Sequence, residues 1–494
     1  MKETRLKIHK LITSLGKDFL NTSISDLHSM ESLKKNLITT PLVDFDFSKQ
    51  RINKQVIDSL LEIPDSISLK ESLRNLINGE HINLSEKRKV AHTIYRSKRG
   101  KEGFELVFSE RERIRGFLKK IKSTPNLKNL ICISIGGSRL GPELLDEFNT
   151  SRNSITVYFC SSYDLLEIQD TFNACKQEET IVLVSSKSFK TIEILKNLKY
   201  AKSWMKRGLG ESYKNRLYGI SSDKEAMKGL GIEDSNQFVI LDSLGGRFSI
   251  WSSISLPAFI NPGYGSYLSF LEGAYLADQH TLSSPWDKNI PVIMALLGVW
   301  NSNGLNINNH GIFTYNFRLR SLSKYLAQLS MESNGKSLNF EGNQSPFSTS
   351  PLIWGGYGVE AQHSVFQWLM QGKTKTSCDF IGINDKSNDF NDSHKMLLSQ
   401  VVAMTFGEDN KDHLYKSIEG NNPCSILQLR SLEYKSLGFL IALYEHKVFI
   451  ESQILGIDPF DQWGVELGKR LTLKTTEDSK FLSDFYPKKI LPKL

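Results

Sequence analysis

Leu130-Ile-Cys-Ile-Ser-Ile-Gly-Gly-Ser-Arg-Leu-Gly-Pro142 is the stretch that decides how this chain folds. Residues 130–135 form an apolar run with no in-out alternation, as a strand covered on both faces requires. Two glycines end it, and the pattern predicts a helix opening at Glu143, just after Pro142. Glycines at such a strand-to-helix turn let backbone N–H groups approach a ligand closely, so the loop is either an anion site or a plain tight turn.

Working outward, the same rhythm repeats. Runs 155–159, 180–184, 217–220 and 238–241 are short and apolar, and helical stretches separate several of them. In 191–205, for example, Leu195, Leu198, Ala201 and Met205 share one face. Strands alternating with helices imply a mainly parallel sheet and an α/β fold. A second region of this kind follows the turn-rich Asn261-Pro-Gly-Tyr-Gly265. It starts with a helix at 290–300 and continues with strands at 312–316, 352–354, 378–383 and 425–429. A long apolar helix over 436–455 then stops at Gly456. Before the first region, residues up to about 91 read as mostly helical, with a short strand at 42–47 and a helix at 56–63. No residue-level repeat marks the two regions as duplicates.

Bulk properties agree with two domains. A chain of 494 residues exceeds one compact core, and 39% hydrophobic, 10% aromatic and 23% charged residues describe an ordinary globular protein. No apolar run approaches the roughly 20 residues that span a bilayer; the longest, such as 256–260 and 439–443, are core-sized. A net charge of +8 spread over 62 basic and 54 acidic side chains excludes a dedicated nucleic-acid groove. Arg96-Ser-Lys-Arg-Gly-Lys101 is the densest basic run and reads as a solvated linker. Cys132, Cys160, Cys175, Cys378 and Cys424 are odd in number, widely spaced and set in apolar runs, which predicts buried thiols in a reducing compartment. The N-terminus has no apolar signal region, and Glu3 argues against a presequence, so a cytoplasmic enzyme is expected.

Several segments carry candidate chemistry. Ser185-Ser-Lys-Ser-Phe-Lys-Thr191 places hydroxyls and cations between a strand and a helix N-terminus, which suits a phosphate group, although a helix cap explains one serine. The spacing of a nucleoside-triphosphate P-loop is absent. Arg247 follows a glycine pair in Asp242-Ser-Leu-Gly-Gly-Arg247, where a guanidinium would stabilise a developing oxyanion. His363 ends Trp354-Gly-Gly-Tyr-Gly-Val-Glu-Ala-Gln-His363, a loop feeding a helix at 365–370, and is either a structural histidine or one that moves a proton to or from a sugar hydroxyl. In Gln328-Leu-Ser-Met-Glu-Ser-Asn-Gly-Lys336, Leu322, Leu326 and Leu329 keep helical period up to the stop at Asn334-Gly335. Glu332 therefore sits in the last turn, either as a solvated glutamate on a frayed helix end or as a general base whose ionised form the helix dipole disfavours. Phe460-Asp-Gln-Trp-Gly-Val-Glu-Leu-Gly-Lys469 ends in a lysine that is either a proton donor or a solvated C-cap.

Taken in chain order, with the last reaching from Tyr444-Glu-His-Lys447 through Lys469, these six segments resemble the phosphoglucose isomerase family. Weaker matches at Asp46-Phe-Ser-Lys-Gln-Arg51 and Ile82-Asn-Leu-Ser-Glu86 extend the similarity over nearly the whole chain, to the exclusion mainly of the C-terminal tail. The resemblance implies two three-layer α/β/α domains with mainly parallel sheets, SIS-like, plus a helical N-terminal region and a C-terminal arm. The expected boundaries are 1–98 (packing on the large domain), 99–265 (small domain), 266–463 (large domain) and 464–494 (arm).

The implied activity interconverts glucose 6-phosphate and fructose 6-phosphate through a cis-enediol, in glycolysis and gluconeogenesis. Glu332 would shuttle the proton between C2 and C1, His363 with Lys469 would open the ring, and Arg247 would stabilise the enediolate. Ser186, Lys187, Ser188 and Thr191, with Ser138, would hold the phosphate, while Gln328 and Gln462 position the sugar. The resemblance further implies a homodimer with the site at the subunit interface, the histidine coming from the partner, and neither metal nor organic cofactor. The chain departs from the family pattern where Gly356, Tyr357, Val359, Glu360 and Ala361 replace glutamate, proline, threonine, asparagine and glycine before His363. Ser330, Arg139 and Lys190 are further departures. A non-catalytic sugar-phosphate sensor and an isomerase of another sugar phosphate, such as mannose 6-phosphate, are the alternatives.

Overall fold

Apolar runs without alternation become central strands. The computed structural model describes residues 2–19, 21–98, 103–151, 154–384, 391–477, 479–487 and 490. Among these the strands are β1 (Leu37–Thr39), β2 (Val43–Lys49), β3 (Ile82–Asn83), β4 (Arg88–Lys89), β5 (Asn129–Ile133), β6 (Thr156–Cys160), β7 (Thr180–Ser185), β8 (Leu217–Ser221), β9 (Gln237–Val239), β10 (Asn309–Thr314), β11 (Leu352–Tyr357), β12 (Ser377–Ile383) and β13 (Cys424–Leu429). One sheet has the order β6-β5-β7-β8-β9, parallel throughout. In it β5, β7 and β8 are buried along their whole length, the burial that their unbroken apolar runs require.

The second sheet has the order β1-β2-β13-β12-β10-β11. Strands β10 to β13 are parallel, whereas β2 runs antiparallel to β13 and β1 antiparallel to β2. The N-terminal segment thus extends the sheet of the second region. Its Gln50 donates from Nε2 to Ser425 Oγ at 2.8 Å and accepts from Asn301 Nδ2 at 3.1 Å, which locks that addition in place.

Three features differ from the sequence reading. The helix Tyr264–Ser283 already starts inside the turn-rich 261–265, and it crosses the helix Tyr434–Leu455 backbone to backbone. A Cβ on Gly273 would lie 1.9 Å from Lys435 O, and one on Gly438 would lie 2.0 Å from Phe270 O, so only glycine permits the crossing. The helix after β5 begins at Gly137 rather than Glu143 and carries Pro142 inside it. Pro142 lacks the N–H that would bond Ser138 O, while the first turn is held instead by Arg139 and Leu140 N–H donating to Gly136 O at 2.9 Å each.

The third difference is Arg96, which is no part of a solvated linker. It is fully buried, Nε donating to Asp278 Oδ2 at 3.0 Å and Nη1 to Glu445, with the guanidinium over the Trp251 ring. Trp251 Nε1 and His446 Nε2 complete the group, on Glu445 Oε1 at 2.8 Å and Asp278 Oδ1 at 2.7 Å. Burial opposes the charge on Arg96, but Asp278 and Glu445 outweigh it and hold the guanidinium above the usual arginine range. The five cysteines are buried and unpaired, as their settings predict. Among the described residues no helix is long and apolar enough to cross a membrane.

Candidate active site

The helix Leu322–Asn334 buries Leu322, Leu326 and Leu329 and ends at Gly335, so Glu332 stands in its last turn. Gln328, one turn earlier, donates from Nε2 to Glu332 Oε2 at 2.9 Å. Arg247 Nη1 lies 3.6 Å from Glu332 Oε1; the arginine side chain is 2% exposed and the glutamate 24%, so the carboxylate alone reaches solvent. Below them Lys336 Nζ donates to the carbonyls of Glu332, Ser333 and Asp461 at 3.0, 2.8 and 3.0 Å. That lysine satisfies helix-end carbonyls which would otherwise be orphaned.

Arg247 ties three distant segments together. Its Nε donates to Ser333 Oγ at 2.7 Å, Nη1 to Gln462 Oε1 at 3.0 Å, and Nη2 to the carbonyls of Pro459 and Asp461 at 2.5 and 3.0 Å. Burial pulls the guanidinium below the usual arginine range, with Glu332 and Asp461 opposing it. The glycine loop presses onto this arginine. A Cβ on Gly137 would lie 2.2 Å from Gly246 O, and Gly136, at φ +57, would place one 3.4 Å from Gln328 Nε2. Close backbone approach therefore explains the glycine pair, and half-buried Ser138 starts the helix beside it.

The serine loop follows β7. Ser186 Oγ accepts from Phe189 N–H at 3.0 Å and holds that non-glycine residue at φ +49, a left-handed conformation that strained functional loops use. Ser188 is half-buried, and Thr191 precedes the helix Ile192–Leu209 without making a side-chain cap bond. Lys187 Nζ donates to Asp242 O at 2.6 Å and lies 3.5 Å from Asp242 Oδ1. Burial first, then Arg88, pulls this lysine below its usual range.

Among the described residues, His363 and Lys469 make no hydrogen bond or ion pair to this cluster. β11 runs on to Tyr357 and a short helix, Gly358–Gln362, follows, so the exposed His363 caps one helix turn instead of ending an open loop. Gly355, at φ +141, and Gly358 would place a Cβ 2.0 Å from Ile312 O and 2.4 Å from the Tyr315 ring, whereas Gly356 faces open space. Gly355→Ala is therefore expected to lower Tm by several degrees in a thermal-unfolding measurement, with Gly356→Ala nearly neutral, since overpacking a backbone contact costs about 1–3 kcal/mol. Equal Tm values for the two variants would remove the steric account. Lys469 is no C-cap: it lies in the helix Glu466–Glu477, is paired with Glu466 at 2.7 Å, and is 63% exposed.

Residues 46–486 match the phosphoglucose isomerase family. The chain belongs to the phosphoglucose isomerase family. It is 36% identical over 468 residues to a glucose-6-phosphate isomerase of Acinetobacter baylyi, covering 86% of this chain and 84% of that one. Against the glucose-6-phosphate isomerase of Hydrogenovibrio crunogenus the identity is 34% over 502 residues, with 93% and 91% covered. The crystal structure of a glucose-6-phosphate isomerase from Chlamydia trachomatis superposes with a TM-score of 0.88 at 29% identity, covering 96% of each chain. The fold expected from the resemblance to phosphoglucose isomerases, two mainly parallel sheets in an α/β architecture, is the fold found.

Lys336 and the hairpin residues Glu86 and Arg88 are the site neighbours that sequence reasoning passed over. Lys336 was in plain view, four residues after Glu332, and helical spacing alone places its ammonium within reach of the last-turn carbonyls.

Proposed function

We propose that this chain, like its family, interconverts glucose 6-phosphate and fructose 6-phosphate, with Glu332 as the proton-transferring base. The observation that carries this is the partly exposed Glu332 carboxylate set 3.6 Å from the buried Arg247 guanidinium and bonded by Gln328. In the forward direction Glu332 takes the C2 proton, the C2–H electron pair becomes the C1–C2 double bond, and the carbonyl oxygen at C1 takes up a proton. The resulting enediol loses the C2 hydroxyl proton, whose O–H electron pair forms the C2 carbonyl, while the C1–C2 electron pair takes the proton that Glu332 returns to C1; the proton released at the C2 oxygen balances the one taken up at the C1 oxygen. Negative charge that develops on the two oxygens faces Arg247, a donor already fixed and desolvated before reaction. Gln328 Oε1 is buried without a protein partner and so offers an acceptor to a substrate hydroxyl.

The phosphate is assigned to Ser186, Lys187, Ser188 and Thr191, with Ser138, and Gln462 joins Gln328 in orienting the sugar. We assign residues 99–265 to the small domain that holds the phosphate, 266–463 to the large domain that carries the base, and 464–494 to an arm. His363 and Lys469 would open the ring, and since His363 lies outside the cluster of its own chain, we assign it to the site of a second copy. The arm supports a homodimer: Leu467, Leu471 and Leu473 lie on an exposed helix, and Trp463 is 61% exposed. Exposed leucines grouped on one helix beside an exposed tryptophan suit a partner surface.

A coupled assay that follows glucose 6-phosphate formation from fructose 6-phosphate tests the reaction, and binding without turnover would favour the sensor alternative. In that assay the double variant Ser186→Ala, Lys187→Ala is expected to raise KM at least about tenfold, since each charge-assisted bond to phosphate contributes about 1.5–3 kcal/mol. An unchanged KM would remove the phosphate assignment.

A further inference from the structure

The short β3–β4 hairpin brings a second cation to the phosphate loop. Arg88 Nη1 donates to Asp242 O at 2.5 Å, the same carbonyl oxygen that accepts from Lys187 Nζ at 2.6 Å. Two cationic heads that share one acceptor are close neighbours, and like charges at that range repel unless an anion faces both. Of the protein's own anions, Glu86 pairs with Arg88, and Asp242 stands near both heads. The Asp242 carboxylate is largely exposed and stands 3.5 Å from Lys187 and 4.0 Å from Arg88, so solvent screens much of its attraction. Glu86 Oε2 pairs with the Nε and Nη2 side of Arg88 and accepts from Asn83 Nδ2 at 2.9 Å, which offsets the charge of Arg88 and fixes the plane of its guanidinium, leaving Nη1 directed to Asp242 O beside Lys187.

The hairpin itself is anchored on the other side of the site. Leu84 and Ser85 N–H donate to Asp458 Oδ2 at 2.8 and 3.4 Å, and Trp463 Nε1 donates to Ser85 Oγ at 3.1 Å, on either side of Gln462 in sequence. Arg88 is thus held from both flanks, three-quarters buried, beside a loop of hydroxyl groups. A sugar phosphate carries nearly two negative charges at neutral pH, and a planar guanidinium matches two of its oxygens where an ammonium matches one.

We propose that Arg88 is the second cation of the phosphate subsite, acting with Lys187 on the substrate's phosphate group. This rests on the phosphate reading of the 185–191 loop. The experiment measures KM for fructose 6-phosphate and the inhibition constant of inorganic phosphate in the full-length protein and in Arg88→Gln, Arg88→Lys and Lys187→Ala. Arg88→Gln is expected to raise both constants about tenfold, with the loss concentrated in KM rather than kcat. Arg88→Lys keeps the charge and loses the fork, so it raises them by a smaller factor of about three. Wild-type constants in Arg88→Gln, while Lys187→Ala raises them, would overturn the inference and leave the loop assignment standing. Constants unmoved in all variants would instead overturn the loop assignment itself. Should Arg88→Gln fail to fold, Arg88→Lys decides alone: a several-fold rise supports the assignment and wild-type values sink it.

Discussion

Glu332→Gln is expected to cut kcat at least about 10²-fold while leaving the inhibition constant of inorganic phosphate close to wild type. The change is nearly isosteric and removes the one group able to take a proton from carbon. The surroundings should tolerate it. Arg247 keeps Ser333, Gln462 and the carbonyls of Pro459 and Asp461, so losing the 3.6 Å ion pair does not strand the buried guanidinium. Lys336 bonds the Glu332 carbonyl, not its side chain, so the helix end stays fixed. The phosphate loop, anchored through Ser186 on Phe189 and Lys187 on Asp242, has no hydrogen bond to Glu332. Steady-state kinetics with fructose 6-phosphate, alongside phosphate inhibition, separates the outcomes. A parallel loss of phosphate affinity would make Glu332 a binding residue, and retained turnover would assign the base elsewhere.

The parts legible in the sequence are those where neighbouring residues alone set the physics. β5, β7 and β12 are runs covered on both faces, and coverage leaves an unbroken apolar signature. The helix Tyr434–Leu455 is buried from 436 to 455, which again shows as composition. What stayed hidden depends on partners far away in the chain. Arg96 reads as basic and solvated because Asp278 and Glu445, which neutralise it, are separated from it by 182 and 349 residues. The role of helix Tyr264–Ser283 is hidden likewise, because its Gly273 serves a crossing with a helix that begins at Tyr434.

The site follows the same rule. Glu332, Gln328 and the stop at Gly335 lie in one helix and could be placed from their spacing. Arg247 was visible as a candidate, but its role as the joint of three segments was not, since Ser333, Gln462 and Pro459 reach it only in the fold. The hairpin at 82–89 was visible as a motif and silent as chemistry for that reason. Its contacts run to Asp242 and Asp458.

The separation of His363 from the Glu332 cluster leads to the most demanding expectation. Glu332→Gln and His363→Ala homodimers should each be nearly inactive, yet mixing them under conditions that exchange subunits should restore activity. In a two-fold dimer whose sites combine Glu332 of one subunit with His363 of the other, a mixed dimer has one doubly defective site and one intact site. Random exchange makes about half of all dimers mixed, so the mixture should approach roughly a quarter of wild-type activity. The physical basis is the surface of the single chain: His363 is exposed and, among the described residues, has no hydrogen bond to Arg247, Gln328 or Glu332, while the arm that carries Lys469 displays Leu467, Leu471 and Leu473 to solvent. Activity in the mixture no greater than the sum of the two variants, after exchange is verified by native mass spectrometry, would place Glu332 and His363 in the same subunit's site. Recovery in the mixture would fix the dimer as the catalytic unit, because a monomer carrying either substitution has no route to an intact pair.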